Sequence, residues 1–319
     1  MDLLSPGLEP PPITRFDIEE AAERIAGYVR RTPVLALERG ALGVPGRISL
    51  KLELFQHTGS FKPRGAFSRM LSAELDDSGV LAASGGNFGL AVAYAARVLG
   101  QRAEIFVPST ASPVKVEAIR ELGAEVHVVP GYYADAYAAC EERAFDSGAI
   151  FMHPYDQPAV VAGQGTIAPE LAEQVPDADT VLVAVGGGGL IGGIAAWYAG
   201  EVRVIGIEPE TCPTLHAALA AGEPVEVEVG GIAADALGAP RAGQIGFEIA
   251  RRFVERVVIV PDEAIAWAQR RLWSECRVLA EPGGAASVAA LLTGAYTPAA
   301  DEHVVALICG GNTDPASLA

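Results

Sequence analysis

The stretch Val181-Leu-Val-Ala-Val-Gly-Gly-Gly-Gly-Leu-Ile-Gly-Gly193 limits the possible folds of this chain more than any other. A run of β-favouring residues enters consecutive glycines and then an apolar helical pattern. That is the signature of a buried strand, a tight turn and a packed helix. The same alternation recurs. From roughly Leu75 to Phe151 the chain reads as strand Gly79–Ala83, helix Phe88–Leu99, strand Ala103–Val107, helix Val114–Leu122, strand Glu125–Val129 and helix Tyr133–Phe145. It resumes with helix Ala159–Ala172, strand Thr180–Val185, helix Leu190–Tyr198, strand Arg203–Ile207 and strand Val257–Val260. Helix Asp262–Glu275, capped by Asp262, helix Pro282–Leu292 and strand His303–Ile308 follow. Alternation of this kind marks parallel sheets with right-handed crossovers. The expected fold is α/β, with two doubly wound parallel-sheet lobes and any ligand in the crevice at the carboxyl ends of the strands.

Less of the rest is regular. Ile18, Ala21, Ala22, Ile25 and Val29 share one face, which predicts a helix from Asp17 to Arg31. Met1 to Ile13 is proline-rich and reads as a loosely held tail. Periodicity fades into a loop around Gly230 to Gly246. Length and apolar content suit one large or two ordinary domains with a substantial core. The net charge of −17 argues against nucleic acid and anionic membrane surfaces. Val181 to Gly200 carries no charge and has the length of a membrane span, but its clustered glycines favour strand, turn and helix. The four cysteines lie far apart, without metal spacing, and no secretory leader is evident. A reduced, cytoplasmic setting fits.

One lysine stands where packing does not ask for it. In Lys51-Leu-Glu-Leu-Phe-Gln-His-Thr-Gly-Ser-Phe-Lys-Pro-Arg-Gly-Ala66, a strand from Ile48 to Phe55 precedes a glycine turn. Lys62 then falls directly before Pro63, and proline is well tolerated at the first position of a helix. Ala66, Phe67 and Met70 would form the inner face of that helix. The positive end of its dipole favours a neutral amine, the form that condenses with an aldehyde. An ordinary surface lysine is the competing reading.

Three glycine turns follow strands. Gly186 to Gly189 can converge backbone N–H groups on an anion at a helix N-terminus, a phosphate being the natural guest. The same residues satisfy the dinucleotide pattern Gly187-x-Gly189-x-x-Gly192, with Glu208 some distance on, so a nicotinamide cofactor is the rival. Ser84-Gly-Gly-Asn87 either holds a carboxylate or simply caps a helix. Cys309-Gly-Gly-Asn312 ends the last strand, where a lone cysteine is commonly a small buried hydrophobe. No zinc-spaced histidines and no Gly-x-Ser-x-Gly elbow occur.

Taken together, Gly59-Ser-Phe-Lys62-Pro-Arg-Gly65, Ser84-Gly-Gly-Asn87, Gly163-Gln-Gly-Thr166, Gly186 to Gly193, Glu208-Pro209 and Cys309-Gly-Gly-Asn312 resemble the pyridoxal-phosphate-dependent serine/threonine dehydratase family. Order and spacing match from near residue 15 onward. The resemblance implies a tryptophan-synthase-beta-like fold, type II among pyridoxal-phosphate enzymes, with the cofactor in the cleft between lobes. The large cofactor-binding domain would be residues 1–70 plus 154–319, and a smaller mobile domain, 71–153, would be inserted in it. Lys62 would bond the cofactor aldehyde and later take the substrate Cα proton. Gly186, Gly187, Gly188 and Gly189 would hold the phosphate, and Asn87 would bond the ring hydroxyl oxygen. Phe61 would pack against the ring, with Cys309 facing its nitrogen. Ser84, Gly85 and Asn87 would receive the substrate.

The activity so implied is dehydration and deamination of L-threonine or L-serine to a 2-keto acid and ammonia. Cys309 is a weak donor and not a carboxylate, so the ring would be a poorer electron sink, which suits elimination. Departures from the family matter. Gly85 and Phe88 replace the second serine and the histidine of the usual Ser-Ser-Gly-Asn-His. In racemases of the family that serine is the acid/base on the opposite face, so racemisation is disfavoured. Thr214 stands where the family's divalent metal site has an aspartate near the acid matching Glu208, so no metal is expected. Little chain follows Asn312, which predicts no regulatory domain and no feedback by isoleucine. The enzymatic rival is a dehydratase of hydroxyaspartate or another hydroxy amino acid, with Arg64 or Arg241 as cation for a second carboxylate. A non-catalytic cofactor carrier and an NAD oxidoreductase are more distant rivals. A homodimer or homotetramer is implied, acting on a small amino acid, with no nucleic-acid or membrane partner.

Overall fold

A computed structural model describes residues 11–318. The expected loose tail lies outside them except at its end, where Ile13 is packed into the main core.

Two sheets organise the chain. The first has six strands in the order β1 (Val34–Ala36), β2 (Arg47–Leu52), β10 (His303–Ile308), β7 (Thr180–Ala184), β8 (Arg203–Pro209) and β9 (Val254–Val260). All its pairings are parallel except that of the edge strand β1 with β2. The second has four parallel strands in the order β5 (Glu125–Val129), β4 (Ala103–Pro108), β3 (Val80–Ala83) and β6 (Ile150–Met152). These four interrupt the sequence of the first sheet between β2 and β7.

Each sheet is covered by apolar side chains on its faces, as buried parallel strands require. Along β3, Val80 and Ala82 join one cluster while Leu81 and Ala83 join another, the period-two alternation of a strand packed on both sides. One large cluster surrounds the six-stranded sheet. Strand register then sets the position of the loops. Ile308 pairs with Leu52, and Ala306 with Leu182, so the carboxyl ends of β2, β10 and β7 lie side by side. The loops leaving them carry Lys62, Cys309 and Gly186.

Several elements differ from the sequence reading. The first helix spans Arg15–Ile25 and stops there because Ala26 leaves helical geometry and Gly27 takes φ +83°. The helix expected through Ala159–Ala172 is two, Pro158–Gly165 and Ile167–Gln174, divided at Thr166, whose hydroxyl donates to the Gly163 carbonyl. Strand β1 and helices Thr214–Ala221 and Gln244–Phe253 are additional. The supposed loop after Gly230 contains a short helix, Ala234–Leu237. Asp262 is not a cap: it is the first residue of helix Asp262–Arg271, and its carboxylate accepts from the Thr211 hydroxyl and the Ile232 N–H. Within Val181 to Gly200 the helix is Gly189–Tyr198, and among the described residues no helix is long and apolar enough to cross a membrane.

Candidate active site

Lys62 opens helix Lys62–Leu71, with Pro63 behind it and Ala66, Phe67 and Met70 buried as the pattern requires. Its amine donates to the Pro154 carbonyl at 3.1 Å and lies 5.0 Å from the Phe61 ring centroid and 5.6 Å from that of Phe88. Burial draws its pKa down to about 8, against the opposing pull of Cys309 and Glu281. The main cause is therefore desolvation rather than the helix terminus.

Phe61, Lys62, Asn87, Gly186, Gly187, Gly188, Gly189 and Cys309 line one cavity. Ser84 and Gly85 sit just before Asn87 on the same loop but outside that lining. The Ser84 Oγ accepts from the Gly86 N–H at 3.3 Å. Gly85 presses on the small lobe's next loop, and a Cβ there would stand 2.8 Å from that of Ala111.

The glycine loop is shaped by its surroundings. Gly188, at φ +91°, is the N-cap of helix Gly189–Tyr198, and no side chain caps that end. Its leading N–H groups have no intrahelical acceptor, so the loop suits an anion. Gly187 cannot carry a side chain, since a Cβ would enter the ring of Tyr155. Tyr155 itself is tied to the Arg241 carbonyl at 3.3 Å.

Sequence reasoning passed over Glu281, Tyr155, Leu237 and the role of Gln164. Glu281 is 3% exposed, accepts from the Asn87 amide at 2.6 Å, and has its pKa raised to about 7 by burial. A glutamate directly before Pro282 at a helix start was its available signal. Tyr155 lies in irregular chain and Leu237 ends a helix of four residues, too short to leave a pattern. Gln164 lines the cavity; its Oε1 accepts from the Gly65 N–H, while its buried Nε2 has no partner. A buried amide left so is costly unless something in the cavity meets it.

Arg64 is not free to bind a second carboxylate. Both its Nε and Nη2 reach Glu53, at 2.9 and 2.8 Å, and Nη2 also reaches Glu170 at 2.9 Å. Lys51 completes this interior group through Glu170, the Thr32 carbonyl and Gln174. The side chain of Arg241 is exposed and absent from the cavity wall, where Lys62 is the one basic residue. The hydroxyaspartate reading thus loses both cations offered for it. Glu208 accepts the N–H groups of Leu215 and His216 at 2.7 and 2.8 Å, capping the helix that begins at Thr214.

Pyridoxal phosphate fits these groups. An aldehyde would meet the desolvated amine of Lys62, a phosphate the uncapped glycine loop, and ring substituents Asn87 and the orphaned amide of Gln164. Cys309, its thiol pushed up by burial and donating to the Gly283 carbonyl at 3.5 Å, is a neutral neighbour for the ring.

Comparison with known proteins agrees. Residues 25–310 match the family of pyridoxal-phosphate-dependent enzymes. L-threonine ammonia-lyase of Geobacter sulfurreducens is 40% identical over 93% of this chain and 75% of its own. Phenylserine dehydratase of Ralstonia pickettii is 37% identical, covering 93% and 92%. Maize serine racemase superposes with a TM-score of 0.89 at 32% identity, covering 96% of each chain. The chain belongs to the pyridoxal-phosphate-dependent enzymes.

Proposed function

We propose that this chain is a lyase that dehydrates and deaminates a β-hydroxy amino acid, L-threonine or L-serine first. The observation that carries the reading is Lys62, a half-buried lysine whose pKa desolvation draws down to about 8, sharing one cavity with an uncapped glycine loop. The bound cofactor supplies the electron sink that acidifies the substrate Cα–H. Lys62 would anchor the cofactor and, once its amine is free, would be the base for the Cα proton. A pKa near the working pH suits both taking that proton and giving it up. Gly186 to Gly189 would hold the phosphate, Phe61 and Tyr155 would wall the site, and Asn87 would present an amide to the ring oxygen. Loss of the Cα proton and the β-hydroxyl releases water and leaves an enamine, which hydrolyses to the keto acid and ammonia.

Three features support elimination on this substrate class. The L-threonine ammonia-lyase relative covers most of the chain. Position 85 offers no hydroxyl to return a proton on the opposite face, and its contact with Ala111 leaves no room for one. The wall beyond Lys62 is apolar, with Leu190, Ile191, Ala236 and Leu237, and no arginine. That wall also favours a second reading, an apolar β-substituent of the kind named for the phenylserine dehydratase relative. Residues 71–153 are proposed as a mobile lobe inserted in the cofactor-binding lobe of 1–70 and 154–319. All four strands of the smaller sheet lie within it. A cytoplasmic homodimer or homotetramer is proposed, and the four free thiols suit a reducing compartment. Glu208, engaged as a helix cap, is proposed to bind no metal.

The test is keto-acid release from L-threonine, L-serine, phenylserine and hydroxyaspartate, with chiral analysis of the remaining serine. Threonine or serine is expected to turn over without D-serine forming. Hydroxyaspartate is expected to have roughly 100-fold lower kcat/KM, because its second carboxylate would be desolvated unpaired. Turnover of hydroxyaspartate alone, or D-serine outpacing pyruvate, would refute the reading.

A further inference from the structure

The Cys309-Gly-Gly-Asn312 turn leaves one residue unaccounted for. The Asn312 Nδ2 donates both to the Thr58 carbonyl at 2.7 Å and to the Asn87 Oδ1 at 2.8 Å. A carbonyl can only accept, so Thr58 fixes which end of the Asn312 amide faces inward. Asn87 must then turn its own oxygen to Asn312, and its amide nitrogen faces the Glu281 Oε1 at 2.6 Å. Every amide orientation in this chain of contacts follows from one backbone carbonyl.

That carbonyl is itself held unusually. Thr58 has φ +58°, a left-handed conformation that β-branched residues rarely adopt. It belongs to the turn that delivers Ser60, Phe61 and Lys62. Asn312 therefore ties the lysine loop, the Asn87 loop and the end of β10 together. Glu281 closes the far end, buried against Asn87 with Lys62, Lys115 and Cys309 as its charged or titratable neighbours.

We propose that Asn312 and Glu281 are positioning residues that lock the Asn87 amide so that its second N–H is presented to the cofactor ring oxygen. Among the described residues Asn87 makes only these two side-chain hydrogen bonds, which leaves that N–H for the cavity. The proposal rests on the cofactor-binding reading above.

The experiment measures pyridoxal-phosphate affinity and the absorbance band of the loaded protein in Asn312→Asp, Glu281→Gln and Glu281→Met, beside the parent. A carboxylate at 312 cannot donate, so Asn87 loses its orientation. Glutamine at 281 still offers an acceptor oxygen, and methionine does not. Asn312→Asp and Glu281→Met are expected to weaken cofactor binding roughly tenfold and to shift the band. Glu281→Gln is expected to stay within about twofold of the parent with the band in place. A purely structural role would lower thermal stability while leaving the band unmoved, and that outcome overturns the proposal. So does an equal shift in Glu281→Gln and Glu281→Met, which would mean that charge, not orientation, matters. If Asn312→Asp does not fold, the Glu281 pair decides alone. A parent protein that binds no cofactor would fail the underlying reading instead.

Discussion

Lys62→Ala is expected to lose turnover by at least about 10³-fold while leaving the fold intact. Two functions vanish at once, the attachment point of the cofactor and the base beside the Cα proton, and a positioned base alone is worth about 10²–10⁴. Stability should hold or rise slightly, because the desolvation that draws this amine's pKa to about 8 is a cost in the folded state. Cofactor binding is expected to persist more weakly through the glycine loop. Steady-state keto-acid release, with circular dichroism as control, checks this. Retention of more than a tenth of parental activity would remove Lys62 from the chemistry.

Arg64→Met is expected to destabilise the protein by about 3–5 kcal/mol, the cost of stripping one partner from a buried ion pair. Glu53 and Arg64 are both nearly inaccessible, and Glu170 depends on the same guanidinium. Lys51 remains, but it reaches Glu170 rather than Glu53. The cluster balances two positive and two negative groups inside the protein, so removing one cation leaves a carboxylate uncompensated. Arg64 also lies in the first turn of the helix that begins at Lys62, so disorder there should reach the amine. Urea denaturation of the cofactor-free protein measures the effect. The double variant Glu53→Gln with Arg64→Met is expected to recover part of the loss, since no lone charge is then left between them. A change below about 1 kcal/mol in Arg64→Met would show that the network is not a stabilising unit.

Much of this was legible in the sequence, for identifiable reasons. Strong alternation of apolar strands and helices foretold the parallel sheets. The glycine turns after β3, β7 and β10 were visible as residue types: Gly188 takes φ +91°, and neighbours leave no room for a Cβ at Gly85 or Gly310. Lys62 stood out because proline follows it directly. What stayed hidden depends on contacts between distant segments. Helix Gln244–Phe253 is followed at once by β9, without a turn signal between them. Strand β1 is three residues long and gains its place only by pairing with β2. Arg64 read as a candidate substrate ligand because its partners Glu53 and Glu170 are separated from it in sequence. Glu281 looked like an ordinary residue before a helix, and only the fold brings it against Asn87. Tyr155 fills the space that Gly187 leaves, a complementarity no local pattern records.

The most direct test of the central claim uses the scarcity of lysine in the chain, where only Lys51, Lys62 and Lys115 occur. Lys51 is committed to Glu170, and Lys115 pairs with Asp235. The purified protein would be loaded with pyridoxal phosphate, reduced with borohydride, digested, and its lysines mapped by mass spectrometry. The account predicts the cofactor-derived mass on Lys62 alone. Modification at Lys51 or Lys115 instead, or at no lysine after loading, would contradict it.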